Sequence, residues 1–72
     1  MAFNYSDLNG AIVAKFGTQY NFAQALGISE HSLSKKLNNK VPWKQAEIAT
    51  SVKLLGIKHS DIAKYFFTLK VQ

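Results

Sequence analysis

The chain of 72 residues has no cysteine and no arginine. Without cysteine there is no disulfide framework and no thiolate metal site, and thiol chemistry says nothing about compartment. Without arginine, the commonest bidentate reader of guanine is missing. Acids are few, four against nine lysines. The two histidines, His31 and His59, lie far apart in sequence. Glu30 beside His31 is an accidental pair, because neighbours on a helix point to different faces. There is no glycine-rich phosphate loop and no metal-ligand spacing. These absences argue against an enzyme and against a metal or cofactor. No apolar run approaches the roughly 18 to 20 residues that a membrane span needs. The opening MAFNYSDLNG carries polar groups where the apolar region of a signal peptide would lie, so the expected location is the cytoplasm.

What is present is a helical pattern. Hydrophobic residues make up 47% of the chain, enough for one small core, and residues 1–72 are expected to form a single domain. Leu8, Ala11, Ile12 and Phe16 follow a helical period, with Asn4 or Ser6 as N-cap candidates and Gly17 as the stop. Gly10 marks either a weak point or a close approach. Thr18 can cap a second helix whose buried edge is Phe22, Ala23 and Leu26. A third helix runs from about Glu30 to Leu37. A fourth starts after Pro42 with Ile48, Val52 and Leu55 inward, and ends at Gly56. A fifth covers about His59 to Phe66, with Ser60 as a weak cap and Ile62 and Phe66 as its core pair. Only the tail, TLKVQ, could form a strand. Trp43 reads as a lid over the core, with its indole N–H as a lesser candidate phosphate donor. The expected class is all-α, five short helices.

The stretch from Gln19 to Asn38 carries the strongest punctuation. Gly27 suits a left-handed exit from the second helix, Ile28 is a buried plug, and Ser29 is a good N-cap. This is the sequence form of a helix-turn-helix over residues 18–38. In a chain of net charge +5 the third helix is then a candidate reader of the DNA major groove. At about 100° per residue, with Leu33 and Leu37 inward, Lys35 points directly away from the core. His31 and Asn38 also point outward and Ser32 lies on a flank. His31, Ser32 and Lys35 are therefore the expected base contacts. Gln19, Ser29, Lys36, Asn38, Asn39, Lys40 and Lys44 are the expected backbone contacts, since amides and hydroxyls bind phosphate as lysine does. Glu30, in the first turn, complements the helix dipole and is placed to accept a hydrogen bond from Gln19.

The same stretch resembles the Cro/repressor-type, Xre-like helix-turn-helix of bacteriophage regulators. LSKKLNNKVPW, AEIATSVKLLGI, DIAKYFF and NYSDLNGAIVAKFGT extend the likeness to a subgroup of small phage and prophage Cro-like proteins, over most of the chain. The resemblance implies a lambda-repressor-like DNA-binding domain acting on double-stranded operator DNA, usually as a homodimer. It places Gln19 at a phosphate and Glu30, His31 and Lys35 among the base-reading positions. Two departures stand out. Lys36 occupies a place that is often apolar in the family, and Glu30 is acidic where a neutral amide is common. The terminal apolar residues Phe67, Leu69 and Val71, in the tail 67–72, are the expected dimer contact. The alternative is a helical protein-binding module, such as an antitoxin, antirepressor or adaptor, using the same fold without DNA.

Overall fold

Among the described residues, five α-helices form close to where the apolar periodicity predicts them: α1 (Ser6–Phe16), α2 (Gln19–Leu26), α3 (Glu30–Leu37), α4 (Gln45–Leu55) and α5 (Ile62–Phe66). The computed structural model describes residues 2–70. A 3-10 turn, His59–Asp61, leads into α5. The fifth helix therefore starts later than its pattern suggests, and neither Lys58 before the 3-10 turn nor Asp61 before α5 supplies a side-chain cap. Among the described residues there is no named strand, but the two ends meet in a single antiparallel bridge, Phe3 with Leu69. Asn4 N–H donates to the Thr68 carbonyl at 2.7 Å and Lys70 N–H to that of Ala2 at 3.1 Å. That is as far as the expected strand in the tail goes.

The core is built from one apolar edge of each of four helices. Leu8 and Ile12 of α1, Phe22 and Ala23 of α2, Leu33 of α3 and Phe66 of α5 are buried. Burying a side chain such as Phe22 contributes about 1.5–3 kcal/mol. The Phe16 and Phe22 rings meet edge to face at 5.2 Å, a geometry that favours aromatic pairs beyond their area. Ile48, Val52 and Leu55 of α4 pack against this cluster but remain half-buried. The buried residue of α4 is Ser51, whose hydroxyl donates to the Glu47 carbonyl at 2.7 Å. That bond to the preceding turn satisfies a polar group the core could not otherwise hold.

Gly10 is not a close-approach site, since a Cβ there would meet nothing within 4 Å. Neither expected cap of α1 caps it in the usual way. Tyr5 stands at the N-cap with no side-chain bond, and Asn4 Oδ1 instead accepts from Ser6 N–H at 2.8 Å. Trp43 does form a lid. Its ring meets Phe66 at 5.3 Å and Tyr5 at 6.3 Å, both edge to face. Burial pushes the Tyr5 phenol up from its ordinary pKa.

Candidate functional site

The α2–α3 pair is locked by local signals. Thr18 Oγ1 accepts from Asn21 N–H at 3.1 Å. Gly27 takes the left-handed conformation at φ 86°. Its N–H and that of Ile28 both reach the Ala23 carbonyl, at 2.9 and 3.0 Å. Ser29 Oγ then caps α3 by accepting from Ser32 N–H at 3.1 Å. Ala23, the small residue on the inner edge of α2, is wholly buried.

On α3, Glu30, His31 and Lys35 are exposed. Ser32 is half-buried, and its hydroxyl accepts from Ser29 Oγ at 3.0 Å. Asn38 folds back on its own helix, its amide donating to the Ser34 carbonyl at 2.9 Å. Gln19 Nε2 donates to Asn9 Oδ1 at 2.9 Å, so Asn9 and not Glu30 is its acceptor. Lys40 and Lys44 are exposed. Ser32, Lys35 and Lys44 come together around a surface depression of about 330 Å³, which Ile28 and Val41 also line. Gln19, Ser34 and Asn38 line a separate one of about 250 Å³.

Two expected phosphate contacts are structural instead. Lys36 is only 4% exposed. Its ammonium lies 2.9 Å from Glu47 Oε1 and donates to the Pro42 carbonyl at 3.2 Å. Position 36 lies three residues after Leu33, hence on the same helix face, and the inward edge of α3 is set by Leu33 and Lys36 together. Asn39 clasps the N-terminal segment. Its Oδ1 accepts from Phe3 N–H and its Nδ2 donates to the Phe3 carbonyl, both at 2.8 Å. It does so at φ 62°, a left-handed conformation that asparagine tolerates better than most residues. Trp43 Nε1 is buried without a hydrogen-bond partner, out of reach of a surface phosphate.

Glu47 is the hub on the α4 side. Its Oε1 also accepts from Lys44 N–H at 2.9 Å, half of a capping box; a lysine side chain has no acceptor for the other half. Burial raises the Glu47 carboxyl. The hydrogen bonds from Lys44 and Lys36 and the charges of both lysines outweigh burial and hold its pKa below the ordinary value.

The opposite face has a different chemistry. Ile48, Ala49, Val52, Ile62 and Phe67 line a groove of about 570 Å³ between α4 and α5, joined by the polar Gln45, Lys53 and His59. Phe67 is 52% exposed, and its ring meets Phe3 edge to face at 6.0 Å. Ile48 and Phe67 also border a neighbouring cavity of about 220 Å³ beside Trp43. Of the expected dimer contacts, Phe67 and Leu69 are exposed, and Val71 lies outside the described residues. Sequence reasoning assigned Ile48, Val52 and Ile62 to the core and gave Ala49 no role. The small Ala49 one position after Ile48 was the available sign of a recess. Among the described residues no helix is long and apolar enough to cross a membrane.

A family described as a protein of unknown function, DUF739, matches residues 1–69. No curated protein matches the chain. A solved structure does. It is the solution structure of the modulator of repression of the temperate bacteriophage TP901-1 from Lactococcus lactis. The two are 53% identical, with a TM-score of 0.80 over 100% of this chain and 97% of that chain. This finding overturns the expectation of an operator-reading Cro-like repressor: the similar protein is a modulator of repression. Of the side chains expected at DNA, Lys36 and Asn39 are engaged inside the domain, while Glu30, His31, Lys35, Lys40 and Lys44 remain exposed.

Proposed function

The chain belongs to the DUF739 family of proteins of unknown function, and from that premise we propose that it is a helical protein-binding module of the antirepressor type. It would alter repression in a phage or prophage by binding a repressor protein, with no catalytic step and no cofactor. One observation carries this reading: the end-to-end similarity, at 53% identity, to a phage modulator of repression. The half-buried apolar residues between α4 and α5, with the exposed Phe67, support it, since contiguous apolar surface on a small domain marks a protein contact.

The test is to titrate the purified chain into a complex of the phage's repressor with its operator. The expected result is a change in the apparent operator affinity of the repressor, with a repressor–chain complex seen in the absence of DNA. No complex with the repressor would overturn the proposal, and selective operator binding by the chain alone would replace it.

A further inference from the structure

Resting on the antirepressor reading, we infer that the α4–α5 groove is the docking site, and that its occupant is an amphipathic helix of the repressor whose polar edge is acidic. The groove combines length with apolar lining. Ile48, Ala49 and Val52 present successive turns of α4, facing Ile62 and Phe67 across it. A recess of about 570 Å³ shaped this way suits a row of side chains spaced i, i+3, i+4 on a partner helix. Ala49 forms the floor where the partner's backbone comes nearest. Phe67 is a large ring already half out of the core, the kind of aromatic anchor that concentrates binding energy when a partner covers it.

Charge complementarity chooses the occupant. Lys53 and His59 stand at the groove itself, and Lys58 and Lys64 are exposed on the segment that carries α5. Of the two acids there, Glu47 is neutralised by Lys36, which leaves Asp61 alone. A basic border around an apolar floor favours a helix that carries Asp or Glu beside its apolar stripe, and disfavours a second copy of this basic chain. The α3 face offers no comparable anchor: its outward residues are Glu30, His31 and Lys35.

The experiment is calorimetric titration of the full chain with the purified repressor of the phage or prophage that encodes it. The variants are Ala49→Glu, Lys53→Glu and, on the other face, Lys35→Glu. Ala49 and Lys53 are exposed, so both variants should fold, which circular dichroism checks. The expected result is a loss of at least about tenfold in affinity for Ala49→Glu, equivalent to about 1.4 kcal/mol. Lys53→Glu should show a smaller loss that shrinks with added salt, and Lys35→Glu little change. If the wild type binds but only Lys35→Glu weakens it, the groove is overturned as the site while the antirepressor reading stands. If the wild type does not bind the repressor, both fall. If sedimentation shows a homodimer that Ala49→Glu dissolves, the groove belongs to a second copy and the inference is overturned.

Discussion

The α3 face and the α4–α5 face are built from the same kind of short amphipathic helix, yet they treat their side chains in opposite ways. On α3 and the turn after it, polar groups turn back into the domain: Lys36 to Glu47, Asn39 to Phe3, Asn38 to Ser34 and Ser32 to Ser29. Between α4 and α5, Ile48, Val52 and Ile62 are left half-buried and Phe67 faces out. The first arrangement stabilises the domain and leaves only a few side chains free for a partner. The second leaves apolar surface that a partner can cover. A residue's chemical type alone is therefore a poor guide to whether it serves folding or binding in this protein.

The contrast has measurable consequences. The largest effect is expected at the buried ion pair. Lys36→Ala should cost about 3 kcal/mol, because it leaves the Glu47 carboxylate near the core without its nearest charge partner, whereas Lys35→Ala, one residue earlier, should stay within about 0.5 kcal/mol. Urea unfolding of the two variants measures both, and equal losses would erase the distinction between inward and outward lysines. A smaller effect is expected from acid. The Glu47 carboxyl has a lower pKa folded than unfolded. Its contribution is thus fully present above the ordinary glutamate range, about 4.3, and is lost as pH falls through the folded value. Glu47→Gln should flatten the stability profile in that acidic window, and an unchanged profile would show that the pair contributes nothing there. The smallest effect is expected at Phe67→Ser. Its ring is half-exposed and touches Phe3 only at an edge, so the melting temperature should move by no more than a few degrees, roughly the size of a 1 kcal/mol change. A collapse of stability would mean that the ring belongs to the core and not to a binding face.

The punctuation of α2, the turn and α3 was legible because each of its signals is local. Thr18, Gly27 and Ser29 act on groups within a few residues, and their roles follow from residue type and position. The likeness to Cro-type regulators rested on those local features and on helix edges, which many functions can share. It implied operator binding, and the modulator of repression similar to this chain along its whole length corrects that. Lys36 was misplaced for a related reason. Leu37 satisfied the apolar period equally well, and nothing near Lys36 in sequence announces that Glu47 will meet it.

The sequence by itself determined the five helices among the described residues, the caps of α2 and α3 and the αL exit at Gly27, because backbone hydrogen bonding and apolar periodicity operate over one or two turns. Only the tertiary structure decided which polar side chains face inward. Lys36 meets Glu47 across two helices, and Asn39 holds Phe3 across 36 residues, contacts that exist only once the helices are packed. The α4–α5 groove is a tertiary product too. Its walls come from different helices, and the recess depends on how far apart packing leaves them.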